Sequence, residues 1–547
     1  MRTLRPSLQA PSPLFIGFCL AGMSLSSAAL AAPPPDPVPQ PETPSAAPGA
    51  PDQAPAGPLQ VASDPVEVPP PPPPPPPPYQ PYYTPPPPPP QTGPSNWYIL
   101  QPGIKAQSKS FVGIAQLGLL SVESEEFYGA LQMGTVESNT DYFSGALQSG
   151  LGMATVNDEF YGAMQFSIVK SEAKEFYGLG QISLGRSFVK DQFIGAFQFG
   201  LLNTTAADFL GLFQLGISNI SNQFIGLLQL GVYNRVSLQS LDGSGDEGFT
   251  GLGQLGAVNH VHDGNFRGLF QIGLANIVAD EEFYLGAQIG LLNAVFDDDF
   301  IGIGQFGVVN GVGGEFRGLA QVGLGSIVED EFFGLFQLSA FNMVGKKAYD
   351  GFLDEDTKGE DKKHDFNGLL QAGLFSRAVG SFRGFARVGM LSGNDHDFRG
   401  FLDAGALTWV GRDFVGFVQA GFRNQVNRDF YGLMQLGAVN RMLGDFYGAQ
   451  IGVPLNWNEG NLYGWQLGAV NLIEDVYGAQ TGLYNAAKEV HGLQIGLINR
   501  AEKLRGAQIG LVNIAKDALL PFCPILNIGF DRAEEPRRPP PVLQYAQ

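Results

Sequence analysis

The sequence predicts an all-β chain: about 24 to 27 short repeat strands in an antiparallel meander closed into a large barrel or ring, with a parallel β-solenoid as the alternative. Three observations lead there. The unit from Val490 to Asn499 recurs, with variation, almost back to Trp97. Within it Gly492, Gln494 and Gly496 share one parity and Leu493, Ile495 and Leu497 the other. That is the period of two of a strand with one apolar face, and it does not fit a helix. Finally, 24 clear copies follow one another, mostly every 15 to 17 residues and every 14 at the end, so each strand is joined to the next by a hairpin-sized link.

Taken in order, residues 1–31 read as a secretory signal peptide. Arg2 and Arg5 precede an apolar run from Leu14 to Leu25, and Ala29 to Ala31 supply small residues for cleavage. Cys19 follows Phe18, not a small residue, so a lipoprotein cleavage site is not expected there. Residues 32–96 are dominated by Pro, Ala, Gln and Ser, with unbroken prolines at Pro69 to Pro78 and Pro85 to Pro90. Proline fixes φ and donates no amide hydrogen, so this stretch is expected to be a disordered, solvated polyproline II spacer. Tyr79, Tyr82 and Tyr83 offer a contact to an envelope partner within it.

The repeat domain is placed at 97–530, with copies anchored on glutamines from Gln116 to Gln508 and with Arg387 and Asp403 standing in two glutamine positions. Early copies read Phe-x-Gly-x-x-Gln-x-Gly, as at Phe209 to Gly216; late ones drop one residue before the glutamine. A β-bulge beside the glycine would accommodate the difference. Links are acidic, as at Asp297-Asp298-Asp299 and Asp280-Glu281-Glu282. Two insertions interrupt the series, one between Val232 and Phe249 and one from Lys346 to His364 around a degraded copy at Tyr349. In a meander both follow even-numbered strands and should leave one rim. A closed meander of this count would be roughly 45 to 50 Å wide and, with ten-residue strands tilted near 40°, about 25 Å tall, which fits the apolar band of an outer-membrane barrel. A basic, proline-rich, disordered tail at 531–547 closes the chain.

The Gly-x-Gln-x-Gly-x-x-Asn units, carried most cleanly by Gly492, Gln494, Gly496, Asn499, Gly506, Gln508, Gly510 and Asn513, and the closing stretch Leu519 to Phe530 resemble the bacterial surface-repeat proteins first noted in leptospires. That resemblance covers about four fifths of the chain. It implies an exported envelope protein, secreted or lipid-anchored, and nothing catalytic.

Composition narrows the expected partners. A net charge of -20, from 52 acidic against 32 basic residues, argues against nucleic acid and anionic surfaces. Once the signal is removed Cys523 stands alone, so no disulfide framework forms within one chain. His260-x-His262 with Asp263 alternates as a metal pair could, but lies in a variable link and reads as a solvated turn. The acidic links lack a calcium-loop spacing. No nucleophile triad, phosphate loop or paired carboxylates stand out, so no cofactor, metal or enzyme activity is expected. The expected function is that of a non-enzymatic cell-envelope β-repeat protein at the outer membrane or cell surface, partnered by envelope components. The alternative is a secreted or surface-attached solenoid adhesin or scaffold.

Overall fold

Each repeat folds as one turn of a three-sided path that bends three times and returns to its start one strand spacing higher. The computed structural model describes residues 96–237, 248–345, 364–518 and 520–530. The signal segment, proline-rich segment, Tyr349 copy and C-terminal tail lie outside them. The coil that opens at Phe249 shows the plan: runs Phe249–Thr250, Gly253–Leu255 and Val258–His262, separated by bends at Gly251-Leu252 and Gly256-Ala257. Elsewhere the same three runs continue through the bends as one strand, as in Phe430–Met442. The acidic link closes the third corner.

The chain is therefore a parallel β-solenoid of about 23 turns, and the antiparallel barrel or ring is overturned. Consecutive coils pair in parallel and in register: Phe249 lies beside Phe266, Gln254 beside Gln271 and Asn259 beside Asn276. Two glycine corners explain why. They let a repeat of 14 to 17 residues turn within its own strand and close a three-sided coil, where a straight ten-residue strand could not. At about 4.8 Å per coil the stack is roughly 110 Å long. Among the described residues the one antiparallel pairing is at the end, where Phe522–Ile528 lies against Ala507–Ala515 and covers the last coil's open edge.

The alternation sorts the side chains onto the two sides of the coil wall. Gln494 and Asn499 are buried, while Ile495, Leu497 and Ile498 are exposed. Inside a typical coil stand a phenylalanine, replaced by Leu or Val from Leu462 on, a glutamine, an asparagine or small polar residue, and a small or aliphatic residue, as in Phe430, Gln435, Asn440 and Met442. The phenylalanines stack without a break from Phe111 to Phe446, with centroids 4.6 to 5.1 Å apart. That interval is the strand spacing itself, which offset aromatic rings tolerate well.

The shortened late copies are absorbed at the first corner. Where the chain loses a residue, Gly432-Leu433 faces Gly448 alone and the register shifts between Tyr431 and Met434. Gly448, Gly464, Gly478 and Gly492 then take positive φ of 138 to 152°. Both long insertions leave the third corner, between Ser237 and Gly248 and between Gly345 and His364. They share an edge because every link of a parallel coil does, not because of strand parity.

Gly478 combines a φ of 147° with a Cβ position that would overlap the Gly464 carbonyl oxygen. Gly478→Ala should cost about 3 kcal/mol from left-handed backbone strain and overpacking together. Hydrogen exchange should register it as opening of the coils from Leu462 to Val490, whereas unchanged protection there would contradict the corner geometry.

Candidate functional site

The interior polar columns gather the residues that the sequence singled out. The glutamine amides, Gln419 apart, donate to the glutamine carbonyl of the preceding coil: Gln494 Nε2 to Gln480 Oε1 at 2.7 Å, and Gln508 to Gln494 at 2.7 Å. The ladder runs unbroken from Gln116 to Gln371 and from Gln419 to Gln508. The asparagines do the reverse. Asn485 donates to Asn499 Oδ1, and Asn499 to Asn513 Oδ1, each at 2.8 Å, toward the following coil. The same Asn499 Nδ2 also reaches the Ile509 carbonyl at 2.9 Å, which fixes how its amide is turned. Gly496 and Gly510 flank this ladder because a Cβ at either would press on the neighbouring asparagine amide. Gly492 and Gly506 stand at the first corner, where a Cβ would strike the preceding coil's backbone.

A third ladder was not evident from the sequence. The residue before each phenylalanine often accepts the amide hydrogen of its counterpart one coil on: Asp429 Oδ1 from Asp445 N at 2.8 Å, and Asp445 Oδ1 from Asn461 N at 2.8 Å. Asn265 does the same for Glu282. The link acids therefore tie successive corners together in addition to charging the surface. The recurring Asp or Asn one place before the phenylalanine is the signal that marks them.

The glutamine ladder breaks once. Arg387 and Asp403, both fully buried, form a fork with two bonds of 2.9 Å. Arg387 also donates to Asn394 at 2.8 Å and lies between the Phe382 and Phe398 rings, while Ser392 donates to Asp403. Because the guanidinium turns toward Asp403, Gln371 Oε1 is left buried without a hydrogen bond.

The predicted histidine pair is rearranged. His262, Asp263 and Asp280 converge, with His262 Nδ1 2.9 Å from Asp280 and 3.6 Å from Asp263. The three could share a cation, as could Glu282, Asp298 and Asp299. Both groups sit on solvent-facing links. His260 instead stacks on His262, and burial, followed by the neighbouring His262 and Arg235, pushes its pKa down to about 4.

Outside, the coil has two characters. The link corner carries the acids and, beside the buried phenylalanines, rows of tyrosines such as Tyr431, Tyr447, Tyr463 and Tyr477. Tyr177 is pushed up to about 12, first by its bond to Glu175. The side between the two glycine corners is apolar, with Leu269, Leu274, Leu291, Leu319 and Leu324 all more than half exposed. Comparison with protein-family models, curated proteins and solved structures finds no match to the chain.

Two measurements test these interior assignments. Asp403→Ala should cost about 3 to 5 kcal/mol, since it strands a buried guanidinium. The double change Arg387→Gln with Asp403→Gln should be neutral or stabilising, because it restores the ladder from Gln371 to Gln419; a double variant as unstable as Asp403→Ala would refute this. For His260, the folded pKa lies below the ordinary value of 6.5, so its penalty is absent above pH 6.5, grows as pH falls, and saturates below about 4. Hydrogen exchange in the Phe249 to His262 coil should show a loss of about 3 kcal/mol across that window, and His260→Gln should abolish it.

Proposed function

We propose that the chain is an exported, non-enzymatic scaffold of the bacterial cell surface, a rigid solenoid that presents its link corner to envelope or extracellular partners. The observation that carries this reading is the placement of both long insertions on that one corner of a stack roughly 110 Å long. A regular rod is suited to hold loops at fixed distances, and loops placed by a rigid frame are where binding residues collect. The buried Gln, Asn and Arg side chains are committed to holding coils together, which leaves the links as the variable surface. The signal-like N-terminus and the proline-rich spacer support export and a standoff from an attachment point.

Cell fractionation tests the proposal. The protein should be exported, exposed to protease in the insertions on intact cells, and released from membranes by alkaline carbonate or urea as rods about 110 Å long in electron micrographs. Retention in the cytoplasm would overturn it, as would insertions shielded on intact cells.

A further inference from the structure

The side of the solenoid between the two glycine corners carries almost no charge. In the coils that open at Phe111 through Leu504, consider the positions from the third residue after the ring to the fourth after the glutamine column. Their outward side chains include one charged residue, Arg423. Arg387 and Asp403 fall in the same span but point inward and are fully buried. Leu, Ile, Val, Phe and Met predominate among the remainder, interspersed with Ala, Gly and a few Ser, Thr, Tyr and Trp; Leu274, Leu291, Leu324, Leu374, Met390 and Phe422 are each more than half exposed. At about 4.8 Å per coil and about 3.3 Å per residue, the face measures on the order of 2,000 Å². Soluble monomers rarely expose more than about 300 to 600 Å² of contiguous apolar surface. Parallel sheets, moreover, are normally covered on both faces.

We propose that this face is covered by the same face of a second copy of the chain. Three observations select that occupant. A stable dimer needs about 800 Å² from each partner, and this face exceeds that more than twofold, placing the pair among obligate homodimers. The face is corrugated: near its C-terminal end Leu483, Leu497 and Leu511 form one wall and Thr481, Ile495 and Ile509 the other of a groove of about 550 Å³ running along the stack. Rows of large side chains repeating at the coil spacing fit such grooves in an identical partner, at the roughly 10 Å separation of stacked sheets. Charge selects the same arrangement. The acidic link corner lies opposite the face, so pairing puts the two acidic corners furthest apart, whereas the net charge of -20 opposes approach to an anionic lipid surface. The proposal is independent of where in the cell the chain works.

Sedimentation of the purified full chain should give twice the chain mass at micromolar concentration. Leu291→Glu with Leu324→Glu should weaken the dimer at least 100-fold while leaving the circular dichroism spectrum unchanged. Hydroxyl-radical footprinting of the unaltered protein, which needs no variant to fold, should show Leu291, Met390 and Phe422 protected, with Tyr431 and Tyr447 reactive. A wild-type monomer overturns the proposal, including one that co-sediments with phosphatidylcholine or phosphatidylglycerol vesicles. So does a dimer that survives both glutamates in folded protein, or full reactivity of the face in footprinting.

Discussion

Parallel, in-register stacking at one strand spacing is the constraint on which the rest of this structure depends. It brings each residue against its own equivalent one coil away, so an inward position must hold a side chain that is satisfied by a copy of itself. Few side chains meet that condition. Phenylalanine does so by stacking, and the primary amides do because each carries both a donor and an acceptor. A column of serine or valine also works, and the Ser376, Ser392 and Val312, Val328 positions show both. A column of like charges does not, and among the described residues the fully buried charged side chains are the Arg387–Asp403 pair of opposite sign.

The two amide ladders run in opposite senses along the stack. Gln480, Gln494 and Gln508 donate toward the start of the chain, whereas Asn485, Asn499 and Asn513 are linked by donation toward its end. Each ladder taken alone would sum its amide dipoles along the axis, as a helix does. Side by side in opposite senses, their axial fields offset each other in the coils that carry both, from Asn219 to Asn310 and from Asn424 to Asn513. The second bond from each asparagine to a backbone carbonyl, such as Asn440 to Ile451, holds this sense in place.

Much of the frame was legible in the sequence. The repeat, the acidic links and the one-residue difference beside the first glycine all correspond to features of the coils. Facing was not legible, for a physical reason. Alternation of Leu493, Gln494, Ile495 and Gly496 gives the parity of a strand but not which parity is inside, because an apolar row can face a core, a lipid or a partner alike. The spacing held the answer. From Phe430 to Gln435 and from Gln435 to Asn440 are equal steps of five residues, an odd interval that a flat strand would place on opposite faces. Equal odd steps return to one side only if the chain turns a corner between them, and Gly432 and Gly437 stand where those corners fall.

The same geometry explains why so much apolar surface is turned outward. A three-sided coil of 14 to 17 residues encloses room for about four side chains, and the ladders take those places. Stability along the axis is thus supplied by hydrogen bonds and ring stacking between neighbours, each coil touching only the next. The outward leucines contribute little to that axis, since they project from corners and sides rather than into the core. If solubility alone had shaped the outer surface, charge would be free to occupy all three sides equally. It is instead concentrated beside the links, and a face kept almost free of charge over some two dozen consecutive coils, despite changes in repeat length and insertions at the opposite corner, is what a surface buried against an equally regular partner requires.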